Sequence, residues 1–443
     1  MPPTASRRRV ERVLALVLSA QLLVAGAAAV ELQPGHTAKA ASRPVAAQVV
    51  NGRADVPART AAVRALLNAR ATAVLRKDRL GFLATVDPLS AAFRGRQAQL
   101  VDALHDVPLA SWSYELDGTR DRMHTAALDA HWGTWWAPDV TLRYALQSFD
   151  QQPAVQPQAL TFVRRGTHWY VGSDDDFATS GHATSRDLWD GGAVVVVRGA
   201  ACLVLSHPGH APLARSLVDD CDAAVPRVSA VWGRAWSRRV VLLVPDTTAE
   251  LARIVPDSGE LGQIAAVATA ELLDPATGYH PVGNRILVNP SNFRELGSVG
   301  RRVVLTHEVT HVASRAASGV QVPTWLVEGL ADYVGYQGVP VPLSASAEEL
   351  RADVRAGRVP RALPVDAAFA GSRKDLAQTY EQSWLAVVLI ARTYGQPALL
   401  RLYRDTGADP TDGSLGRAMV RDLHTSLLAF TMDWRADLRR RLS

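Results

Sequence analysis

The sequence predicts an α+β fold in two parts, on three observations. Apolar residues recur first at helical spacing and then in four strand-like runs, an order that suits helices laid against an antiparallel sheet. From about Gly191 short strand-like runs come first and apolar helices follow. The 443 residues, 48% hydrophobic, supply enough apolar material for two domains behind an N-terminal leader.

The leader occupies residues 1–40. Arg7, Arg8, Arg9 and Arg12 precede the apolar run Val13–Val30, the pattern of an export signal or of a single membrane anchor. Ala25-Gly-Ala27 and Ala38-Lys-Ala40 are small-residue cleavage candidates, and an uncleaved segment would leave its basic end cytoplasmic. On either course the remainder is expected outside the cytoplasm, secreted or anchored to the cell membrane. No cysteine sits just after the segment, which argues against a lipoprotein anchor. Residues 41–52, rich in Ala, Pro, Val and Arg without period, read as a linker.

Residues 53–180 form the first predicted domain. Val63, Leu66, Leu67, Ala71 and Val74 make one helical stripe, and Phe93, Leu100 and Leu104 belong to a second helix. Strands are expected over Ala110–Asp117, Thr125–Trp132, Val140–Phe149 and Leu160–Gly172. This order resembles the nuclear transport factor 2-like cone. Trp132, Trp135, Trp136 and Trp169 are expected to pack a core or cone mouth, with the lining of a ligand pocket as the alternative. Asp174, Asp175 and Asp176 lack a calcium-loop pattern and read as a solvated turn.

The second domain is expected over residues 191–443. It begins with strands Ala193–Leu205 and Val240–Pro245, with a helix containing Trp232 and Trp236 between them, and His207-Pro-Gly-His210 reads as a turn. Ala265–Leu273 is a strand, either an ordinary core strand or an edge that receives an extended substrate. Strand Arg285–Asn289 leads into the helix of the chemical motif, and helices Gln396–Tyr403 and Leu415–Arg440 close the domain.

That motif is His307-Glu308-Val-Thr-His311. On a helix, residues four apart share a face, so both imidazoles reach one metal ion while Glu308 addresses the ion's open side. Val303, Val304, Leu305, Val309 and Val312 supply the apolar face of that helix, and Gly319 is placed to end it. A catalytic zinc takes three protein ligands and one exchangeable water. The next helix, with Thr324 as its expected N-cap, carries Glu328 and Asp332 four apart. Glu328 is the expected third ligand and Asp332 the acceptor for the remote ring N–H of His307; the alternatives make Asp332 the ligand, or leave both as solvated charges.

His-Glu-x-x-His followed by Glu-x-x-x-Asp on the next helix resembles the gluzincin metallopeptidases, the group of thermolysin and the aminopeptidase N type enzymes. Thr324–Val334 is similar to the Trp-Leu-x-Glu-Gly-x-Ala-x-Tyr run of the bacterial peptidase MA-like branch. The gap from His311 to Glu328 is shorter here by two or three residues, so the connecting loop must be tight. Thr379-Tyr-Glu-Gln-Ser resembles the Tyr-Glu-Lys-Gly segment of the aminopeptidase N type, with Gln382-Ser383 in place of Lys-Gly. The resemblance implies a gluzincin catalytic domain with zinc on His307, His311 and Glu328, Glu308 as general base, and Tyr380 as donor to an oxyanion. A packing role for Tyr380 at the head of its helix is the alternative. A peptide or protein substrate is implied; the Gly-x-Met-Glu-Asn signature for a free N-terminus is absent ahead of His307.

The remaining signals mainly exclude. The formal charge of +5 is small for the length and partly in the leader, so nucleic-acid binding is not indicated. There is no internal repeat, phosphate-binding glycine loop or Gly-x-Ser-x-Gly elbow. Cys202 and Cys221 suit an extracytoplasmic disulfide or two inert core thiols, and their spacing is not that of a zinc site. A cell-envelope binding module on a gluzincin scaffold is the alternative function, against which the intact Glu308 argues.

Overall fold

The computed structural model describes residues 23–24 and 56–443, apart from 118–120, 123, 256–263, 274–279, 320 and 371–372. The expected leader and linker therefore lie outside the described residues, save Leu23–Val24. No described helix is long and apolar enough to cross a membrane. The fold class is α+β, as the sequence predicts.

The first part begins with helices α1 (Val56–Leu75), α2 (Arg79–Ala84) and α3 (Ala91–Ala103). They pack on two antiparallel three-stranded sheets. Taking Leu23–Val24 as β1, one sheet has the order β2 (Leu109–Asp117), β4 (Asp139–Leu146), β5 (Ala154–Gln158). The other has the order β3 (Trp135–Trp136), β6 (Thr161–Arg165), β7 (His168–Ser173).

Three expectations need correction here. Thr125–Trp132 is not a strand: Thr125 is an N-cap whose hydroxyl accepts the Leu128 N–H at 3.2 Å, and Ala126–Trp132 is helix α4. Leu160–Gly172 is a hairpin, folded back at Gly166 with φ of +61°. Asp174–Asp176 is no solvated turn, because Asp174 is buried between Arg96 and Arg186 and Asp176 accepts the indole N–H of Trp132. Trp132, Trp135 and Trp136 are buried packing residues.

The second part holds a mixed sheet of order β1-β11-β12-β10-β9-β8. Its strands are β8 (Val195–Arg198), β9 (Cys202–Ser206), β10 (Val240–Val244), β11 (Ala266–Leu273) and β12 (His280–Val288). β9, β10 and β12 run parallel, while β8 is antiparallel to β9, and β11 is antiparallel to β12 and parallel to β1. The expected strand Ala193–Leu205 is thus two, split at residues 199–201 because the Asp222 carboxylate takes the N–H groups of Ala200, Ala201 and Cys202.

Apart from the single turn Leu343–Ser346, the described α-helices of this part are α5 (Ala211–Trp232), α6 (Thr248–Ile254), α7 (Pro290–Glu295), α8 (Ser298–Ser314), α9 (Thr324–Gly335), α10 (Glu348–Arg355), α11 (Leu376–Tyr394), α12 (Gln396–Ala408), α13 (Ser414–Leu423) and α14 (Leu427–Leu442). A disulfide joins Cys202 on β9 to Cys221 on α5. Trp236 falls beyond the end of α5. The expected helix Leu415–Arg440 is two, broken at His424, whose φ is +54°, and restarted by Ser426, which caps the Ala429 N–H.

Side-chain alternation decides how the parts meet. Cys202, Val204, Leu242 and Ile286 face the helical core with α5 and α8, whereas Leu203, Leu205, Val241, Leu243, Val267 and Leu287 pack with Trp112, Leu142 and Tyr144 of the first part. Buried Arg285 of β12 clamps Asp150 with both Nη atoms, at 2.7 and 2.8 Å, and Glu271 of β11 accepts the Val155 N–H.

A second polar tie joins the residue 207 turn to α6. The buried His207 ring donates through Nδ1 to the Ala193 carbonyl and through Nε2 to Glu250 Oε1, both at 2.8 Å, so both nitrogens carry protons. Burial lowers the His207 pKa, but the Glu250 carboxylate raises it above the imidazole value; burial raises the Glu250 pKa, but His207 brings it below the carboxylate value. The histidine contribution is full below about pH 6.5 and fades as pH rises through its raised pKa; the glutamate contribution is full above about pH 4.5 and fades as pH falls through its lowered one. His207→Gln should therefore cost about 1–3 kcal/mol in urea unfolding at pH 5.5 and clearly less at pH 9; an equal loss at both would show that the charge contributes nothing.

Candidate metal centre

The site is built where α8 crosses α9. Val303, Val304, Leu305 and Val309 bury the core face of α8 and leave His307 and His311 on the face turned to α9. Helix α8 ends at Ser314 and passes through a 3-10 turn before Gly319, whose φ of +55° reverses the chain. Thr324 is the first residue of α9 and not its cap. Pro323 holds the cap position, and the Thr324 N–H goes to Asp366 at 2.9 Å. Gly329 lets α9 approach α11 closely, since a Cβ there would fall 2.5 Å from the Ser383 carbonyl oxygen.

This packing brings the expected ligands together. His307 Nε2 lies 2.9 Å from His311 Nε2 and 3.2 Å from Glu328 Oε2, and His311 Nε2 lies 3.4 Å from the same oxygen. A four-coordinate ion about 2.0–2.1 Å from such ligands would set them roughly 3.3 Å apart, so the three donors stand as three corners of one tetrahedron. Both carboxylate oxygens of Glu328 are buried and accept no well-aligned hydrogen bond. A carboxylate left so in the interior is costly unless a cation takes its charge. Among the described residues, His307, His311 and Glu328 form the group that could hold a metal ion.

Asp332 stands elsewhere: its Oδ1 is 2.8 Å from His307 Nδ1, on the far side of the ring. It thus accepts a hydrogen bond from Nδ1–H, which leaves Nε2 as the ring nitrogen free to ligate a metal. Burial lowers the His307 pKa, yet the neighbouring Asp332, Glu328 and Glu308 carboxylates drive it well above the imidazole range. Burial raises the Glu328 pKa, but His311 and then His307 bring it down to about 2. The pocket is therefore charged on both sides and suits a cation in place of a shared proton.

Glu308 is buried beside the ligands, and its Oε2 accepts the Ala268 N–H of β11 at 2.8 Å. The strand for which the sequence leaves two readings therefore runs past Glu308. Tyr380, in the first turns of α11, is buried with its ring edge-on to Phe369. Burial, then Glu328, Asp332 and Glu308, raise its pKa well above the phenol value, which places its hydroxyl in the field of the site carboxylates. The next residue, Glu381, turns away: it accepts the Leu350 N–H at 2.6 Å at the head of α10, and burial with Glu349 pushes its pKa up to about 9.

Sequence reasoning missed Tyr336 and Arg315. Tyr336 ends α9 against Trp384, and its pKa is raised by burial and by Asp332. Arg315 reaches Ala268; its only sequence signal is its place seven residues after Glu308.

Compared with known proteins, the chain matches no family model and no curated sequence.

Asp332→Ala should weaken metal binding by about 10–100-fold with the fold kept, because His307 loses the partner that fixes its ring and tautomer. Competition with a chelator measures this. Unaltered affinity would make Asp332 a bystander.

Proposed function

We propose that this chain is a zinc-dependent metallopeptidase of the gluzincin type, exported or tethered by its N-terminal segment, acting on peptides or proteins. One observation carries the reading: His307, His311 and Glu328 converge on a single point with the carboxylate of Glu308 beside them and Asp332 behind His307. Two imidazoles and one carboxylate are the ligand set of hydrolytic zinc sites, and the imidazoles disfavour calcium or magnesium. The antiparallel strand β11 alongside the base, and the small sheet followed by helices, support the gluzincin assignment.

Zinc bound there would lower the pKa of a water and polarise the carbonyl under attack. Glu308 takes the proton from the attacking water and hands it to the leaving nitrogen. Asp332 keeps His307 in the tautomer that ligates. Tyr380, kept protonated by its surroundings, donates a hydrogen bond to the oxygen on which negative charge develops.

Elemental analysis of the purified chain should find one zinc in the wild type and weakened retention in Glu328→Ala. Glu308→Gln is expected to keep the metal and lose turnover on a peptide library, while His311→Ala loses both. Tyr380→Phe should lower kcat by about 100-fold with KM little changed. Turnover surviving in Glu308→Gln would sink the mechanism, and an unchanged rate in Tyr380→Phe would leave that residue a packing role.

A further inference from the structure

Glu308 and Arg315 are seven residues apart, two helical turns, and lie on one face of α8 and its terminal turn with His311 between them. They grip the same residue of β11. The Ala268 N–H donates to Glu308 Oε2 at 2.8 Å, and the Ala268 carbonyl accepts from Arg315 Nη2 at 2.7 Å. A residue in a strand presents its N–H and C=O to the same side, so holding the carbonyl also aims the N–H. Through Nη1 the same guanidinium reaches Asn284 Oδ1 on β12 at 3.3 Å, which ties both strands of the hairpin to the end of the metal helix. Arg315 is 5% exposed, so these bonds are formed away from competing water.

We infer that Arg315 is a positioning residue for Glu308: it holds residue Ala268 by its carbonyl, and the Ala268 N–H anchors Oε2 of the Glu308 carboxylate beside the metal ligands. The inference rests on the proposed role of Glu308 as base. A carboxylate that must collect a proton on one side and deliver it on the other gains from one anchored oxygen, since misplacement by about 1 Å costs on the order of a hundredfold in rate. The anchor is a backbone N–H, which no side-chain substitution removes, so control over it passes to whatever holds the strand. Besides the β11–β12 ladder, the side chain that holds Ala268 itself is Arg315.

The test uses the full zinc-loaded chain. Arg315→Met keeps the buried stem and removes the donors; Arg315→Lys restores a cationic donor to the Ala268 carbonyl. Zinc per chain and thermal midpoint are recorded for each variant, with kcat and KM on a cleaved peptide and amide exchange across residues 266–273. Arg315→Met should lower kcat by about 10–100-fold with KM and zinc content nearly unchanged and β11 amides exchanging faster, and Arg315→Lys should recover most of both. Wild-type kcat in a folded, zinc-bearing Arg315→Met, or a loss that only follows zinc or thermal stability and is not rescued by lysine, overturns the inference. If Arg315→Met does not fold, Asn284→Ala takes its place with a smaller fall in kcat expected, and an unchanged kcat there counts equally against it. If the zinc-loaded wild type cleaves no peptide, the peptidase reading fails by itself, and the exchange measurement still decides: undiminished protection of β11 in Arg315→Met refutes the positioning role.

Discussion

Four ionisable side chains, His307, His311, Glu328 and Asp332, are buried between two helices, and their mutual neutralisation is the constraint on which the rest of this half of the structure depends. An uncompensated carboxylate in such a place would cost several kcal/mol, a large part of the about 5–15 kcal/mol by which a domain is usually stable. The sequence meets the constraint by pairing. Each helix presents its two groups four residues apart, so a single crossing opposes two imidazoles to two carboxylates, and Gly329 gives α9 a close approach to α11 on its other side. Among the four, Glu328 lacks well-aligned hydrogen bonds to either oxygen, whereas Asp332 has its histidine. This asymmetry separates Glu328 from Asp332 more sharply than spacing alone does.

How much of this was legible follows from what each residue answers to locally. The histidine and carboxylate positions could be read because a helix converts spacing into direction. Both helices of the site are announced by apolar residues on their core faces. Thr125–Trp132 misled because its apolar content gives no clear period and the deciding feature is one hydroxyl at the cap. Strand β5 went unnoticed because it is an edge strand with Pro157 between two glutamines, where neither alternation nor β-branching signals a strand. Arg315 and Ala268 belong to a different class: their meeting depends on a contact 47 residues apart in sequence, to which no local pattern testifies. The split of Ala193–Leu205 is of the same kind, since Asp222 on α5 imposes it from outside.

The first part of the chain is more than an attachment to the second. Alternation along the central strands sends one set of side chains to the helices that carry the site and the other set to the first part. Leu203, Leu205, Val241, Leu243, Val267 and Leu287 belong to that second set. Burying each such side chain contributes about 1.5–3 kcal/mol, so six amount to roughly 9–18 kcal/mol, and even half of that is comparable to the whole net stability of a domain. A chain cut between residues 180 and 191 would expose this face, so the sequence boundary divides two patterns without dividing two independently stable bodies.

That shared layer bears on chemistry through the hairpin of β11 and β12. Asp150 holds Arg285 on β12, the Val155 N–H meets Glu271 on β11, and three residues before Glu271 the Ala268 N–H meets Glu308. The Glu308 carboxylate is thus supported from two directions. The end of its own helix acts through Arg315, and the first part of the chain acts through the strands that Arg315 also grips. A strand near the edge of a sheet is ordinarily among its more mobile elements. Here β11 is held by the buried guanidinium of Arg315 at Ala268 and through the Glu271 carboxylate at Val155, and its partner β12 by the bidentate Arg285–Asp150 ion pair, all close to the N–H that Glu308 accepts.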